Sequence, residues 1–233
     1  MKNQNQPGLK SYSPYSKTEE NCFIEGDSGL IYSGVRIENI SFPLTISAVQ
    51  AAVCSCLANG DKPVKLFQQK PFSDLSDYWK KLFGLEINRD CPPYGHFFNP
   101  IISSPDDIKK ALNDLCRKAV TIHSGFPVSA LLFTSEGWVA GVNVEVASWS
   151  LGLCAERVAI SRAFSAGYST FKELHVYAPK SEFCSPCGAC RQVMNECMPG
   201  KTVVLHHQNQ TLTRHFTEHL LPYGFSSDIL KNT

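Results

Sequence analysis

Apolar residues recur along this chain with two different periods, and their alternation predicts the fold. Ile108, Ala111, Leu112, Leu115, Cys116, Ala119 and Val120 are spaced as one face of a helix. Ser104 stands before them as the expected N-cap, with Pro105 at the first helical position and Asp106 and Asp107 in the first turn. Two short apolar runs, residues 127–133 and 138–144, flank Thr134-Ser135-Glu136-Gly137 and predict a hairpin. Beyond it the pattern predicts helix over 154–166 stopped by Gly167, extended chain over 174–178, helix over 188–198, extended chain over 202–207 and helix over 214–221. Strands interleaved with helices imply an α/β fold, a central mixed sheet flanked by helices.

The pattern also repeats. At an offset of 107 residues, the spacing from Gly34 to Gly141, Gly34-Val35-Arg36-Ile37-Glu38 matches Gly141-Val142-Asn143-Val144-Glu145. Ser41 then falls on Ser148, Leu44 on Leu151, Ala48 on Ala155, Ala52 on Ala159 and Gly60 on Gly167. Two copies of one supersecondary unit follow. The first copy has Ser47, Val49 and Gln50 where the second has Cys154, Glu156 and Arg157, and no cysteine pair follows it. It reads as a structural half. Residues 86–103, rich in turn formers such as Cys91-Pro92-Pro93-Tyr94-Gly95 and Asn99-Pro100, read as a linker. The expected division is therefore 1–85 degenerate and non-catalytic, 86–103 linker, and 104–233 catalytic.

Composition narrows the classes. The 233 residues are 43% hydrophobic and 18% charged, with a formal net charge of +1 and no block of like charge, which argues against a nucleic-acid partner. No stretch of about 18 apolar residues is present to span a membrane and the first residues are polar, so the expected place is the cytoplasm. Ten cysteines are many for that reducing compartment. The isolated ones, Cys22, Cys54, Cys56, Cys91 and Cys116, read as small buried side chains, and the cluster at 184–197 reads as metal ligands.

Cys184-Ser185-Pro186-Cys187-Gly188-Ala189-Cys190, taken alone, suits an iron–sulfur segment, a structural zinc knuckle or a catalytic zinc site completed from elsewhere. Cys154-Ala155-Glu156-Arg157, at the start of an apolar helix, decides between them. A catalytic zinc takes three protein ligands and keeps a fourth place for water, and deamination needs a carboxylate that touches the water but not the metal. Cys-x-Glu followed by Pro-Cys-x-x-Cys is the zinc deaminase signature. Pro186 sets its register, making Cys154, Cys187 and Cys190 the ligands, Glu156 the proton shuttle, and Cys184 a nearby thiol outside the set. Three thiolates leave such a site negative, and Arg157 and the N-termini of the two helices are the expected compensation. Asn143 and Glu145 alternate along a strand, share one face, and suit the hydroxyls of a ribose, a carboxylate there repelling phosphate.

The ordered set Phe126-Pro127-Val128, Asn143-Val144-Glu145, Cys154-Ala155-Glu156-Arg157, Pro186-Cys187-Gly188-Ala189-Cys190-Arg191-Gln192 and Leu221-Pro222-Tyr223-Gly224-Phe225 resembles cytidine deaminase across nearly all of residues 104–230. The resemblance implies an α/β/α sandwich around a five-stranded sheet, zinc as the only cofactor, and deamination of cytidine or deoxycytidine in pyrimidine salvage. It implies that Phe126 packs at the pyrimidine pocket, that Asn143 and Glu145 hold the sugar, that Ala155 belongs to the substrate-binding set, and that Phe225 reaches a neighbouring subunit's site. The first half is similar to the inactive domain of the family's dimeric branch, which implies a homodimer of four deaminase-like units. Here, however, the broken copy comes first, Cys154 stands where that branch uses histidine, Val146 follows the glutamate in place of an asparagine, and Ser129 replaces a glycine. Alternatives from the residues alone are a deaminase of a modified cytosine nucleoside or antibiotic, and a non-catalytic zinc or redox protein. Tyr15, Phe42, Tyr78 and Trp79 are candidates for side chains lent by the first half.

Overall fold

The computed structural model describes residues 9–69, 75–90, 92 and 95–225, in two sheets with helices against them. In the first half, β1 (Asn21–Gly26), β2 (Ile31–Val35), α1 (Ala48–Leu57), β3 (Pro63–Phe67), α2 (Leu75–Phe83) and β4 (Glu86–Asn88) build a four-stranded sheet of order β2-β1-β3-β4. The second half contains β5 (Ile101–Ile102), α3 (Ile108–Leu115), β6 (Ser129–Thr134), β7 (Trp138–Val142), α4 (Ala155–Ser165), β8 (Phe171–Tyr177), α5 (Gly188–Cys197), β9 (Thr202–His206), β10 (Leu212–Phe216) and α6 (Thr217–Leu220). Its sheet runs β10-β9-β8-β6-β7-β5, with β8 and β9 parallel and the other pairs antiparallel.

The repeat is visible element by element. The order β2-β1-β3-β4 matches β7-β6-β8-β9, each hairpin being followed by a helix and then a third strand. Ser47 caps α1 with its side chain, and Cys154 occupies the same N-cap position on α4 with no such bond. The bridge between Ile37 and Ile46 matches that between Val144 and Leu153. Gly34 and Gly141 are needed where each helix crosses its strand. A Cβ on Gly141 would lie 2.2 Å from the Ala155 carbonyl oxygen, and one on Gly34 would lie 2.1 Å from that of Ala48. This close approach seats the start of α4 against the sheet.

Three expectations are corrected. Helix α3 begins after Asp107, not Ser104: Asp107 is extended and its carboxylate accepts the Lys110 N–H at 2.9 Å, so the cap lies three residues further along the chain. Half of the helix expected over 214–221 is absent, because Leu212–Phe216 pairs along β9 and leaves only Thr217–Leu220 helical. The second sheet has six strands instead of five, since the end of the expected linker adds β5 to β7. The start of that linker supplies β4, parallel to β3. Cys91, Pro93 and Tyr94 lie outside the described residues. No helix among the described residues is long and apolar enough to cross a membrane.

The halves share one continuous core, built where α1 packs on α4. Both helices are deeply buried, and Arg162 of α4 reaches across to the hydroxyl and carbonyl of Ser55 in α1. Two hydrogen bonds related by the repeat flank it. Gln50 Nε2 donates to the Leu151 carbonyl at 2.9 Å, and Arg157 Nη2 donates to the Leu44 carbonyl at 3.0 Å. Cys22, Cys54 and Cys56 are buried, as isolated thiols were expected to be.

Away from this seam, His206 Nε2 and His175 Nδ1 lie 2.9 Å apart, and His175 Nε2 is 2.6 Å from Glu173. Burial lowers both imidazoles from the ordinary histidine value, His206 to about 4. The unfolded chain then binds protons that the folded chain excludes, so this stability is complete above pH about 6.5 and is lost as pH falls toward about 4. Urea unfolding at pH 7.5 and pH 5 is expected to differ by roughly 2 kcal/mol from this source. His206→Gln should flatten the difference.

Candidate active site

Two helix beginnings meet at the site. Cys154 is the N-cap of α4 and Cys187 the N-cap of α5, while Cys190 lies one turn into α5. Each N-cap has an extended backbone, which turns its sulfur toward the open end of its own helix. The three sulfurs lie within 4.8 Å of one another, and those of Cys154 and Cys187 are 3.6 Å apart. A tetrahedral zinc with Zn–S bonds near 2.3 Å sets its sulfurs roughly 3.8 Å apart, so the cluster has the dimensions of such a site.

Its electrostatics call for a cation. The thiols of Cys154 and Cys190, with the N–H groups of Ala189 and Cys190, strongly favour a thiolate on Cys187. Hydrogen bonding to Cys187 raises the Cys154 thiol, and hydrogen bonding to Cys154 and then Cys187 raises that of Cys190, burial adding to both. One proton leaves easily and the remaining two do not, unless a metal neutralises the group. Cys184 stays apart, buried and turned to the Val176 carbonyl at 3.7 Å.

Glu156, in the first turn of α4, is 3% exposed. Burial pushes its carboxyl up to about 7, against hydrogen bonds from its own N–H and from the Cys190 thiol. It lines a cavity of about 210 Å³ together with Phe126, Asn143, Cys154 and Cys187. Phe126, Asn143 and Cys154 also border a second cavity of about 370 Å³, completed by Glu145, Ser124, Trp149 and Leu153. The two adjoin along those shared residues, giving one cleft with the thiol cluster at its inner end.

The polar wall is built by chain-to-chain ties. The Asn143 amide accepts the Val128 N–H at 2.7 Å and donates to the Phe126 carbonyl at 3.0 Å, fixing the Phe126-Pro127-Val128 segment. Glu145 accepts the N–H groups of His123 and Ser124 at 2.8 and 3.0 Å, and the Ser124 hydroxyl. Against burial, these donors hold its carboxyl below the usual range. Glu38 clamps the Tyr15-Ser16 turn in the same way, so the persistence of this glutamate in the first copy has a structural reason.

Some expected residues stand elsewhere. Ala155 is fully buried and lines neither cavity. Arg157 aims its Nη2 at the first half, and its Nε is buried with no partner among the described residues, though its charge favours ionisation of Glu156. Phe225 is half exposed, its carbonyl receiving Gln192 at 3.2 Å, and it borders neither cavity. Of the aromatics in the first half, Trp79 is core, Tyr78 receives the Ser148 N–H at 2.9 Å, and Phe42 is 82% exposed. None of these lines the cleft. Trp149, which packs edge-on against His123, was not foreseen. The sequence offered one distant hint, an aromatic at the matching place in the first copy, Phe42.

Thiols at paired helix ends with a buried carboxylate beside them are the equipment of a zinc-dependent deaminase, a hydrolytic enzyme. Comparison with known proteins agrees. The model of the cytidine and deoxycytidylate deaminase zinc-binding region matches residues 105–206, and a second model of that description matches residues 6–68. A cytidine deaminase of Sporosarcina psychrophila is 38% identical over 115 residues, covering 48% of this chain and 85% of that protein. A probable cytidine deaminase of Dictyostelium discoideum is 41% identical over 110 residues, 46% of this chain and 74% of its own. The crystal structure of cytidine deaminase from Burkholderia pseudomallei aligns at 38% identity and TM-score 0.47, over 50% of this chain and 94% of that one. The chain belongs to the cytidine and deoxycytidylate deaminase family and carries two copies of its deaminase region.

Proposed function

We propose that this protein hydrolyses cytidine or deoxycytidine to the uracil nucleoside and ammonia, with Cys154, Cys187 and Cys190 holding zinc. The observation that carries the reading is the juxtaposition of three sulfurs within 4.8 Å with the buried Glu156 at the inner end of an open cleft. Zinc bound there supplies a Lewis acid that makes water a nucleophile near neutral pH. Glu156 takes a proton from the water that adds to C4 of the pyrimidine and gives it to ring N3. It then passes a second proton to the departing ammonia. Its burial suits both directions of transfer, since a carboxyl raised toward neutrality gives a proton back as readily as it accepts one.

Phe126 lies across both cavities and offers an apolar face to the base. Asn143 and Glu145 face the outer cavity, where a ribose would meet an amide and a carboxylate. The same carboxylate disfavours a phosphate, and a net charge of +1 gives no basic surface for a polynucleotide. Ala155 contributes through the backbone at the start of α4, and Phe225 serves a neighbouring subunit in a homodimer. Arg157 offsets the thiolate charge from behind Glu156. Residues 1–85, with β4 paired to their sheet, act as the silent unit, the stretch between β4 and β5 as the connection, and residues 104–233, with β5 on their sheet, as the catalytic unit. Pyrimidine salvage in the cytoplasm is the role that goes with this chemistry.

Purified protein incubated with cytidine should show the ultraviolet change that accompanies uridine formation, with zinc measured on the same sample. Zinc-loaded protein that leaves cytidine intact would turn the reading toward a modified cytosine nucleoside. Asn143→Ala should raise KM about tenfold with a smaller fall in kcat, because two hydrogen bonds that fix the Phe126 segment are removed along with a sugar contact. An unchanged KM, with only kcat or the melting temperature lowered, would count against the sugar contact.

A further inference from the structure

The first half reaches the metal-bearing helix at the carboxylate of Glu196. Glu196 stands in the last turn of α5, the helix that starts at Cys187 and carries Cys190. Its Oε1 accepts the Tyr15 hydroxyl at 2.8 Å and the Tyr12 hydroxyl at 3.5 Å, and its Oε2 accepts the Ile40 N–H at 2.8 Å. All three donors come from the first copy, more than 150 residues earlier in the chain. A negative side chain near a helix C-terminus opposes the helix dipole, so nothing local to α5 favours a glutamate there. The tertiary contact does.

The donors are themselves held. Glu38 accepts the Tyr15 N–H at 3.0 Å and the Ser16 N–H at 3.0 Å, and Arg36 ties Glu38 to Glu20. Tyr12 packs its ring on Phe164 of α4 at 5.2 Å, so the same segment touches both helices that begin at cysteines. Ten residues of α helix make a stiff rod of about 15 Å, and a constraint on its last turn fixes the tilt of its first. The degenerate copy keeps the glutamate clamp of the repeat but turns it to a different use, presenting a tyrosine to α5.

We propose that Tyr15 and Glu196 are positioning residues for the metal, and that through them the non-catalytic half holds α5 so that Cys187 and Cys190 stay beside Cys154. This rests on the reading of those three cysteines as zinc ligands. Neither residue touches substrate or metal. Their effect is on how firmly the ion is kept and how squarely it is presented.

Tyr15→Phe removes one oxygen from a half-buried ring and leaves its packing, so it is the leading variant, with Glu196→Gln beside it. Zinc release to a colorimetric chelator should be about tenfold faster in each, the scale on which outer supports of metal ligands act. The absorption bands of the cobalt-substituted protein should shift, and kcat for cytidine should fall with KM unchanged. The double variant should be no worse than the more damaged single one, because both remove the same link. Release of zinc at the wild-type rate with an unmoved cobalt spectrum, whatever happens to the melting temperature, would reduce the contact to ordinary adhesion between the halves and overturn the proposal. A wild-type protein that binds zinc yet ignores cytidine would sink the functional reading instead, leaving the zinc-release comparison to decide this one.

Discussion

Glu156→Gln is expected to lower kcat by about 10²–10⁴-fold while zinc content stays at the wild-type level. Glutamine fills the same volume at the buried start of α4 and still accepts a hydrogen bond, so neither the helix nor the sulfur cluster should move. What it lacks is a titrating oxygen. A proton taken from water then has no way to ring N3, and none to the departing amine. KM for cytidine should change little, because the missing group acts on the transition state and not on ground-state binding. Steady-state kinetics with metal analysis on the same preparation separates this from a loss of zinc. A zinc-binding or redox protein with no catalytic role would be indifferent to the change, as would a site in which Glu156 only neutralises charge.

Cys190→Ala should remove both metal and activity. Its sulfur is fully buried within the cluster, so no water-exposed donor stands ready to replace it. Two ligands remain, one partly exposed and one exposed, and a divalent zinc on two thiolates binds orders of magnitude more weakly than on three. Thermal unfolding should become insensitive to added zinc, whereas the wild-type melting temperature should rise with it. Cys184→Ala is the control. That thiol is as deeply buried but points at the Val176 carbonyl, so its loss should cost stability on the order of 1 kcal/mol while zinc stays bound. If Cys184→Ala also emptied the site, the assignment of three ligands would be wrong.

The site was legible to the degree that its chemistry is local in sequence. Cys154 and Glu156 are two residues apart, Cys187 and Cys190 three apart, and each pair opens a helix whose apolar period could be read directly. Geometry inside one turn of helix follows from residue spacing alone. The cleft was less legible. Asn143 and Glu145 were read as sugar contacts from their alternation, yet much of their hydrogen-bonding capacity is spent on Phe126, Val128, His123 and Ser124. Trp149 was missed because nothing in its own neighbourhood says that the turn after β7 folds back over the cleft.

Two of the misread elements failed for one reason. Residues 214–216 have a pattern that fits a helix face, but an open edge on β9 was present to pair with them, and ladder bonds to a formed sheet outweigh a weak local preference. The two isoleucines of β5 lay in a stretch dominated by turn formers and became a strand only because β7 had a free edge.

What the sequence by itself determined is the repeat, the alternation of strands and helices, the three thiols with their carboxylate, and the absence of the matching thiol and carboxylate from the first copy. All of these depend on period, cap and spacing, which act within a few residues of the chain. Only the tertiary structure decided how the two copies are joined: Arg157 on the Leu44 carbonyl, Gln50 on that of Leu151, and Tyr15 on Glu196. Those contacts join residues more than a hundred positions apart, and they form as the two halves close on one shared core. No local period encodes that closure, since its stabilisation comes from apolar surface that two distant segments bury together.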